Sequence, residues 1–188
     1  MSKQENTAIT TKMKIWTVLC ILLVCATAFV VRGVLVYKIF PLDYEESIIK
    51  YSEEYEIDKY LVCAVIFAES GFDDTARSSA GAVGVMQIIP GTGEWAAEKI
   101  GIESYNEQML LDPDINIRIG CWYLSYLGAK FENDSEKFLA AYNAGPSKVE
   151  EWIDSDGTLR EIPYEETENY VLRIKRYYNI YKGLYNDL

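Results

Sequence analysis

Residues 61–87 read LVCAVIFAESGFDDTARSSAGAVGVMQ, a pattern that predicts the central element of the fold. An apolar run ends abruptly at Glu69, and a loop of small residues follows it. Asp58 is placed to cap the start of a helix, and Gly71 lies where a helix end commonly needs a left-handed residue. The stretch therefore predicts a buried helix over residues 59–70, followed by a loop that returns to apolar sequence.

Glu69 is the one charged residue at the end of this apolar run, in the last turn of the predicted helix. The negative end of the helix dipole and the apolar neighbours Val65 and Ile66 both disfavour the ionised form of its carboxyl group. We therefore expect a raised pKa, which general-acid cleavage of a glycosidic bond requires. A carboxylate that simply points into solvent at the helix end is the alternative, and this helix alone does not decide between them.

A second apolar stretch lies near the start of the chain. Residues 15–31 contain no charged residue, and after Arg32 the apolar character continues to Tyr37. A helix of about 20 such residues can cross a bilayer. We therefore interpret residues 15–37 as a transmembrane anchor. A cleaved signal peptide, with its processing site at residues 26–28, is the alternative.

The charges before this anchor set its expected orientation. Lys3, Lys12 and Lys14 precede it, and positive residues favour the cytoplasmic side of a membrane. Residues 1–14 are therefore predicted to form a cytoplasmic tail. Residues 41–188 are predicted to form one domain on the extracytoplasmic side of the cell membrane, held there by a single pass.

The overall charge argues against two kinds of partner. The chain has 29 acidic and 18 basic residues, which gives a formal net charge of −11. Nucleic acids and anionic lipid surfaces would both be repelled by such a charge. We expect no nucleic acid partner.

Histidine and cysteine usage limits the chemistry. The chain contains no histidine, which excludes Ser-His-Asp and Cys-His catalysis. Its 4 cysteines are not clustered, so we expect no metal and no cofactor. Cys20 and Cys25 lie within the anchor. Cys63 and Cys121 are either two buried thiols or, if their helices touch, a disulfide.

Helical patterns fill the domain after the anchor. Asp112-Pro113 is a strong helix start, because aspartate caps helices and proline suits the first helical position. No alternating pattern typical of β-strands occurs in the sequence, so an all-α domain is predicted. Its helices are expected at residues 43–56, 59–70, 94–100, 112–131, from 135 onward, and 165–185.

Four short motifs in this order resemble the catalytic domain of soluble lytic transglycosylases. The resemblance covers most of residues 43–182 and implies a lysozyme-like fold of the goose type. The motifs are ESGF at residues 69–72, SSAGAVGVMQ at 78–87, AYNAGP at 141–146 and ETENYV at 166–171.

The resemblance also implies roles for individual residues. Glu69 matches the catalytic acid of the family. Seven further residues match positions that line or support the groove in which peptidoglycan glycan strands bind: Ser78, Met86, Gln87, Tyr142, Asn143, Glu166 and Tyr170.

The implied activity is cleavage of the β-1,4 bond between N-acetylmuramic acid and N-acetylglucosamine, with formation of a 1,6-anhydro ring. Glu69 would act first as acid and then as base, so that one carboxylate suffices. Trp95 and Tyr105 are expected to line the sugar groove, because aromatic rings stack on pyranose surfaces.

Two alternatives remain open at this point. A muramidase would hydrolyse the same bond with water, and Asp73 or Asp74 could position that water. If Asp73 and Asp74 instead only cap the turn after Gly71, the muramidase alternative loses its support. A non-catalytic wall-binding assembly factor in an envelope machine is the second alternative.

Overall fold

The computed structural model describes residues 3–186 and 188. The chain divides into two units, Met1–Pro41 and Leu42–Leu188. Each unit has its own set of internal contacts.

The first unit contains one long helix, α1, over Lys3–Ile39. Its segment Trp16–Ile39 has a mean hydropathy of 2.6 and is long and apolar enough to cross a membrane. Length and composition alone do not separate an anchor from a signal sequence, because both satisfy this criterion. The transmembrane anchor therefore stays a prediction.

The second unit is helical, as predicted. Within its described residues, β-structure is limited to isolated bridges such as the one between Val83 and Ile88. Its elements are α2 (Glu45–Glu54), α3 (Lys59–Glu69), α4 (Pro90–Ile100), a 3-10 helix (Glu107–Leu111), α5 (Pro113–Lys130), α6 (Ser135–Ala144), α7 (Pro146–Trp152) and α8 (Glu165–Leu184).

The predicted helix caps explain where two of these helices begin. The Asp58 carboxylate accepts a hydrogen bond of 2.8 Å from Tyr60 N at the start of α3. The Asp112 carboxylate likewise accepts a hydrogen bond of 2.9 Å from Asp114 N at the start of α5. The predicted start of α4 was wrong: the helix begins at Pro90, because proline without an amide hydrogen is suited to the first helical position.

Helix α3 lies in the core of the second unit. The side chains from Val62 to Ile66 are fully buried, and the helix packs against α8 and α2. Cys63 on α3 and Cys121 on α5 are both fully buried free thiols. Burial raises the pKa of Cys63 to about 12, so that thiol is uncharged at neutral pH. The apolar run in the sequence is therefore the central element of the fold.

Candidate active site

The end of α3 places Glu69 beside the loop that follows it. Ser70 caps the helix, and its hydroxyl donates a hydrogen bond of 2.8 Å to the carbonyl oxygen of Val85. The same hydroxyl accepts a hydrogen bond of 3.1 Å from Phe72 N. Gly71 has the left-handed backbone expected for it, with a φ of 63°. The chain reversal after Glu69 is therefore fixed by side-chain and backbone bonds.

The carboxyl group of Glu69 is held from α8. The Tyr170 hydroxyl donates a hydrogen bond of 2.7 Å to Glu69 Oε1. Tyr170 is 1% exposed, so this donor comes from the core rather than from the solvent side. Arg173, one turn further along α8, lies with its guanidinium 6.0 Å from the centre of the Tyr170 ring.

Burial raises the pKa of Glu69 to about 7, from an ordinary value of 4.5. The hydrogen bond from Tyr170 and the positive charge of Arg173 both lower this pKa, but desolvation is the larger effect. The expectation of a raised pKa is therefore confirmed. A pKa near neutrality allows the group to give up a proton and to take one back at the same working pH.

The loop after α3 forms one wall beside Glu69. Gly84 N donates a hydrogen bond of 2.9 Å to the carbonyl oxygen of Ala76, which closes the loop on itself. Gln87 has a left-handed backbone, with a φ of 48°. Its Nε2 donates to the carbonyl oxygens of Ala76, at 3.1 Å, and Gly84, at 2.9 Å. The Gln87 side chain therefore braces the loop as well as facing the site.

Asn116 on α5 anchors this wall from beneath, and sequence reasoning did not identify it. Its Oδ1 accepts a hydrogen bond of 2.8 Å from Met86 N. Its Nδ2 donates to the carbonyl oxygens of Val83, at 2.9 Å, and Leu110, at 2.8 Å. Asn116 is fully buried. A polar residue on the apolar side of a helix pattern is the signal that could have found it, because a buried amide must be hydrogen bonded.

The opposite wall comes from the end of α6. The Tyr142 hydroxyl donates a hydrogen bond of 2.9 Å to the carbonyl oxygen of Met86, which joins the two walls. Burial raises the pKa of Tyr142 well above its usual value, so this donor stays protonated. The next residue, Asn143, accepts a hydrogen bond of 2.8 Å from the Thr167 hydroxyl on α8.

A groove with a cavity volume of about 510 Å³ opens between these walls. Such a volume suits a ligand of a few rings, since small-molecule sites commonly have about 300–1,000 Å³. The groove also includes the ring of Tyr123 from α5, which the sequence did not single out. Six predicted site residues line it: Glu69, Ser78, Gln87, Tyr142, Asn143 and Glu166.

Two predicted site residues lie beneath the groove instead. Met86 is fully buried, and its contribution is the backbone carbonyl that receives Tyr142. Tyr170 is also buried and contacts Glu69. Both residues support the groove rather than lining it.

Asp73 and Asp74 are engaged in the turn after α3. Asp73 accepts hydrogen bonds from Thr75 N, at 2.9 Å, and from the Thr75 hydroxyl, at 2.7 Å. These bonds lower the pKa of Asp73. Asp74 accepts a bond of 3.2 Å from the Tyr44 hydroxyl. Neither aspartate is part of the groove lining, so the turn-capping role fits both better than positioning a water.

Trp95 and Tyr105 do not line the groove. Trp95 packs edge-on against Trp122 and Tyr126, with ring centres 4.8 Å apart in each case. Tyr105 packs against Gly93, where an added Cβ would collide with its hydroxyl. The expectation that these two rings line the groove was wrong, because the sequence does not show which aromatic rings pack against other parts of the protein.

Comparison with known proteins gives the same assignment as the motifs. Residues 46–164 match the family model described as "Transglycosylase SLT domain". The soluble lytic murein transglycosylase of Escherichia coli (strain K12) is 35% identical over 156 residues, which cover 79% of this chain and 24% of that protein. The chain thus spans about a quarter of the length of the soluble lytic murein transglycosylases it matches.

A membrane-bound protein is among the relatives. The membrane-bound lytic murein transglycosylase C of Serratia proteamaculans is 32% identical over 125 residues, covering 58% of this chain and 33% of that protein.

Solved structures of the same family superpose on the helical domain. An inactive mutant of the lytic transglycosylase Slt from Pseudomonas aeruginosa has a TM-score of 0.73 and 33% identity, covering 78% of this chain and 25% of that one. The 70 kDa soluble lytic transglycosylase of Escherichia coli has a TM-score of 0.71 and 35% identity, covering 79% of this chain and 25% of that one. These matches confirm the predicted fold class, an all-α lysozyme-like domain. The chain belongs to the transglycosylase SLT domain family.

Proposed function

We propose that the chain is a membrane-anchored peptidoglycan lytic transglycosylase with Glu69 as its single catalytic carboxylate. The substrate is the glycan strand, cleaved at the β-1,4 bond between N-acetylmuramic acid and N-acetylglucosamine. The product end is a 1,6-anhydro ring. The observation that carries this proposal is a half-buried Glu69 in a groove of saccharide size, with the pKa of its carboxyl group raised to about 7 by desolvation.

In the first step, Glu69 donates its proton to the glycosidic oxygen. The bond between that oxygen and C1 of the muramoyl ring breaks, and the bonding electrons leave with the oxygen as a hydroxyl group. Positive charge develops on C1. The Glu69 carboxylate that remains is stabilised by the hydrogen bond from Tyr170.

In the second step, the same carboxylate takes the proton from the muramoyl C6 hydroxyl. The C6 oxygen forms a bond to C1 and closes the anhydro ring, while Glu69 returns to its protonated form. No water is consumed, and the nucleophile is already part of the bound substrate. A pKa near neutrality suits both steps, because the group must be an acid in one and a base in the other.

The location of the domain is part of the proposal. The lysines before residue 15 favour a cytoplasmic N-terminus and an extracytoplasmic domain facing the cell wall. The apolar segment Trp16–Ile39 provides the anchor. Protease added to intact spheroplasts should digest the domain while a cytoplasmic marker survives; protection of the domain would contradict this orientation.

Product analysis tests the chemistry. The full-length protein in detergent is incubated with purified peptidoglycan, and the soluble muropeptides are weighed by mass spectrometry. We expect products one water lighter than the reducing forms, and none from Glu69→Gln. A Glu69→Gln protein with wild-type activity would refute the role of Glu69. A correctly folded wild-type protein that binds peptidoglycan without cleaving it would favour the assembly-factor alternative.

Hydrolysis of the same bond by water is the second candidate function, and one observation supports it. Glu166 is the other carboxylate among the described groove-lining residues, so it could activate a water. Reducing products that disappear in Glu166→Gln would establish a muramidase. Anhydro products that persist in Glu166→Gln would establish the single-carboxylate reaction.

A further inference from the structure

Two arginines lie on the exposed surface of α8, beyond the part of this helix that lines the groove. Arg173 follows Glu166 by seven residues, and residues seven apart in a helix lie on the same face, two turns apart. Glu166 lines the groove, so Arg173 lies about 10 Å further along the same face of α8. Arg176 is one turn further on, where side chains three residues apart are neighbours. Both arginine side chains are exposed.

Neither of these guanidinium groups pairs with a carboxylate among the residues that the structure describes. By contrast, Arg77, Arg118 and Arg160 each form an ion pair with a glutamate or an aspartate. Lys175, which lies between the two arginines in the sequence of α8, pairs with Glu136. In a chain with a formal net charge of −11, the two arginines of α8 therefore provide a local positive surface near the groove.

The side chains of this surface suit an anion with two oxygens. A guanidinium group offers a planar fork of N–H donors that matches a carboxylate or a phosphate, and the opposite charges strengthen each hydrogen bond. Glycan strands of peptidoglycan carry peptide stems on their muramoyl residues, and these stems contain free carboxylates. An extended peptide covers about 3.3 Å per residue, so roughly three residues span the distance from Glu166 to Arg173. A stem on a sugar in the groove is thus long enough to reach the arginines.

We propose that Arg173 and Arg176 form a binding site for the carboxylates of the peptide stem that the bound glycan strand carries. The inference rests on the proposed saccharide-binding function, but it does not depend on whether the glycosidic bond is cleaved by ring closure or by water. The site lets the protein distinguish strands with acidic stems from strands whose stems are amidated or absent.

A carboxylate at this site would also act on the proposed catalytic group. The Arg173 guanidinium lies 6.0 Å from the centre of the Tyr170 ring, and the Tyr170 hydroxyl donates to Glu69 Oε1. The positive charge of Arg173 lowers the pKa of Glu69. A bound carboxylate would offset this charge and favour the protonated form of Glu69, which the first step of cleavage requires. Binding of an acidic stem would thus favour the acid form at the bond to be cleaved.

Binding of two synthetic tetrasaccharides tests the site without turnover. Both alternate N-acetylglucosamine and N-acetylmuramic acid and carry the same stem peptides, but one has free carboxylates and the other has every carboxylate amidated. Full-length protein in detergent carries Glu69→Gln in all samples, and calorimetry gives the Kd of each compound. We expect this parent protein to bind the carboxylate compound on the order of tenfold more tightly, the effect of one charge-assisted hydrogen bond.

Substitution of the arginines should remove this preference and nothing else. In a double variant with Arg173→Gln and Arg176→Gln, the Kd for the carboxylate compound should rise to that for the amidated compound, which itself should not change. Arg173→Lys keeps the positive charge and should retain part of the preference. Arg160→Gln is the matched control, because Arg160 is an exposed arginine that already pairs with Asp154. It should leave both Kd values unchanged.

Equal Kd values of the parent for the two compounds would overturn the proposal, and this comparison needs no substitution on α8. Weaker binding of both compounds by the double variant would also overturn it, because the arginines would then act on the glycan or on the fold. Binding of neither compound by the parent would refute the saccharide-binding function and this inference with it. Product analysis remains a separate measurement, so reducing products would refute the anhydro reaction while leaving this result standing.

Discussion

The Tyr170 hydroxyl donates a hydrogen bond of 2.7 Å to Glu69 Oε1 across 101 residues of sequence. This contact joins α3 to α8 at the proposed catalytic carboxyl group. It favours the ionised form of Glu69, whereas burial favours the protonated form. The balance between the two leaves the pKa near neutrality.

Removal of this hydrogen bond should therefore alter the pH dependence of catalysis. In Tyr170→Phe, the carboxylate loses a donor, so the pKa of Glu69 rises and the alkaline limb of the kcat profile moves to higher pH. We also expect kcat to fall about tenfold, because the carboxyl group loses its orientation. Muropeptide release measured from pH 5 to pH 9 provides the profile.

Tyr178→Phe is the matched control for this prediction. Tyr178 lies on the same helix and donates to Asp58, away from the groove. Loss of the Tyr178 hydroxyl should leave the pH profile of kcat unchanged. An unshifted alkaline limb in Tyr170→Phe would contradict the proposed contribution of the hydroxyl.

The raised pKa of Glu69 also predicts a pH-dependent stability. The folded protein holds the proton up to pH about 7, whereas the ordinary value is 4.5, so the free energy of unfolding falls as pH rises between these values. The loss reaches about 3 kcal/mol above pH 7. Glu69→Gln removes this cost, so its melting temperature should exceed that of the wild type at pH 8 and differ less at pH 5.

Asn116 should be essential to the groove although it touches no substrate. In Asn116→Ala, three backbone groups lose their hydrogen bonds in a buried environment. We expect a loss of about 3 kcal/mol or more in the free energy of unfolding, together with reduced cleavage. Asn179→Ala, which removes one exposed side-chain bond on α8, should cost no more than about 0.5 kcal/mol. Chemical denaturation of both variants makes the comparison, and equal effects would be inconsistent with an anchoring role.

Gly84 and Gly81 form a natural pair for testing the loop. Both have positive φ, 78° and 85°, but a Cβ at Gly84 would collide with Leu110 and Asn116, whereas at Gly81 it would meet open space. Gly81→Ala should cost about 1–2 kcal/mol from backbone strain alone. Gly84→Ala should cost more than this and should also reduce cleavage. Similar stabilities for the two variants would show that the loop relaxes around the added methyl group.

Local signals in the sequence were sufficient for most of the helices, although not for the start of α4, and they singled out Glu69 without deciding whether its carboxylate is catalytic. Asp58 and Asp112 cap the helices that they were expected to cap, because a capping bond spans only two residues. Glu69 was identified because a charged residue at the end of an apolar run is visible without knowing the fold. Motif resemblance added Gln87, Tyr142 and Asn143 to the groove.

Hydrogen-bond partners that are distant in the sequence could not be predicted from such local signals. Asn116 reaches Val83 across 33 residues, and Thr167 reaches Asn143 across 24. Sequence spacing carries no information about such contacts until the helices are packed. The same limit explains why Trp95 was expected at the groove, although the ring that lines it is Tyr123.

The aromatic cluster on α4 and α5 gives the protein an intrinsic optical reporter. Tyr123 lines the groove and has its ring centre 6.3 Å from that of Trp95 and 5.5 Å from that of Tyr142. Trp122 extends the cluster at 4.8 Å from Trp95, so Trp95 is in contact with the groove-lining ring and Trp122 follows one ring further away. A ligand that covers Tyr123 changes the polarity around these indoles. Fluorescence emission can therefore follow glycan binding in real time, without a label and without cleavage.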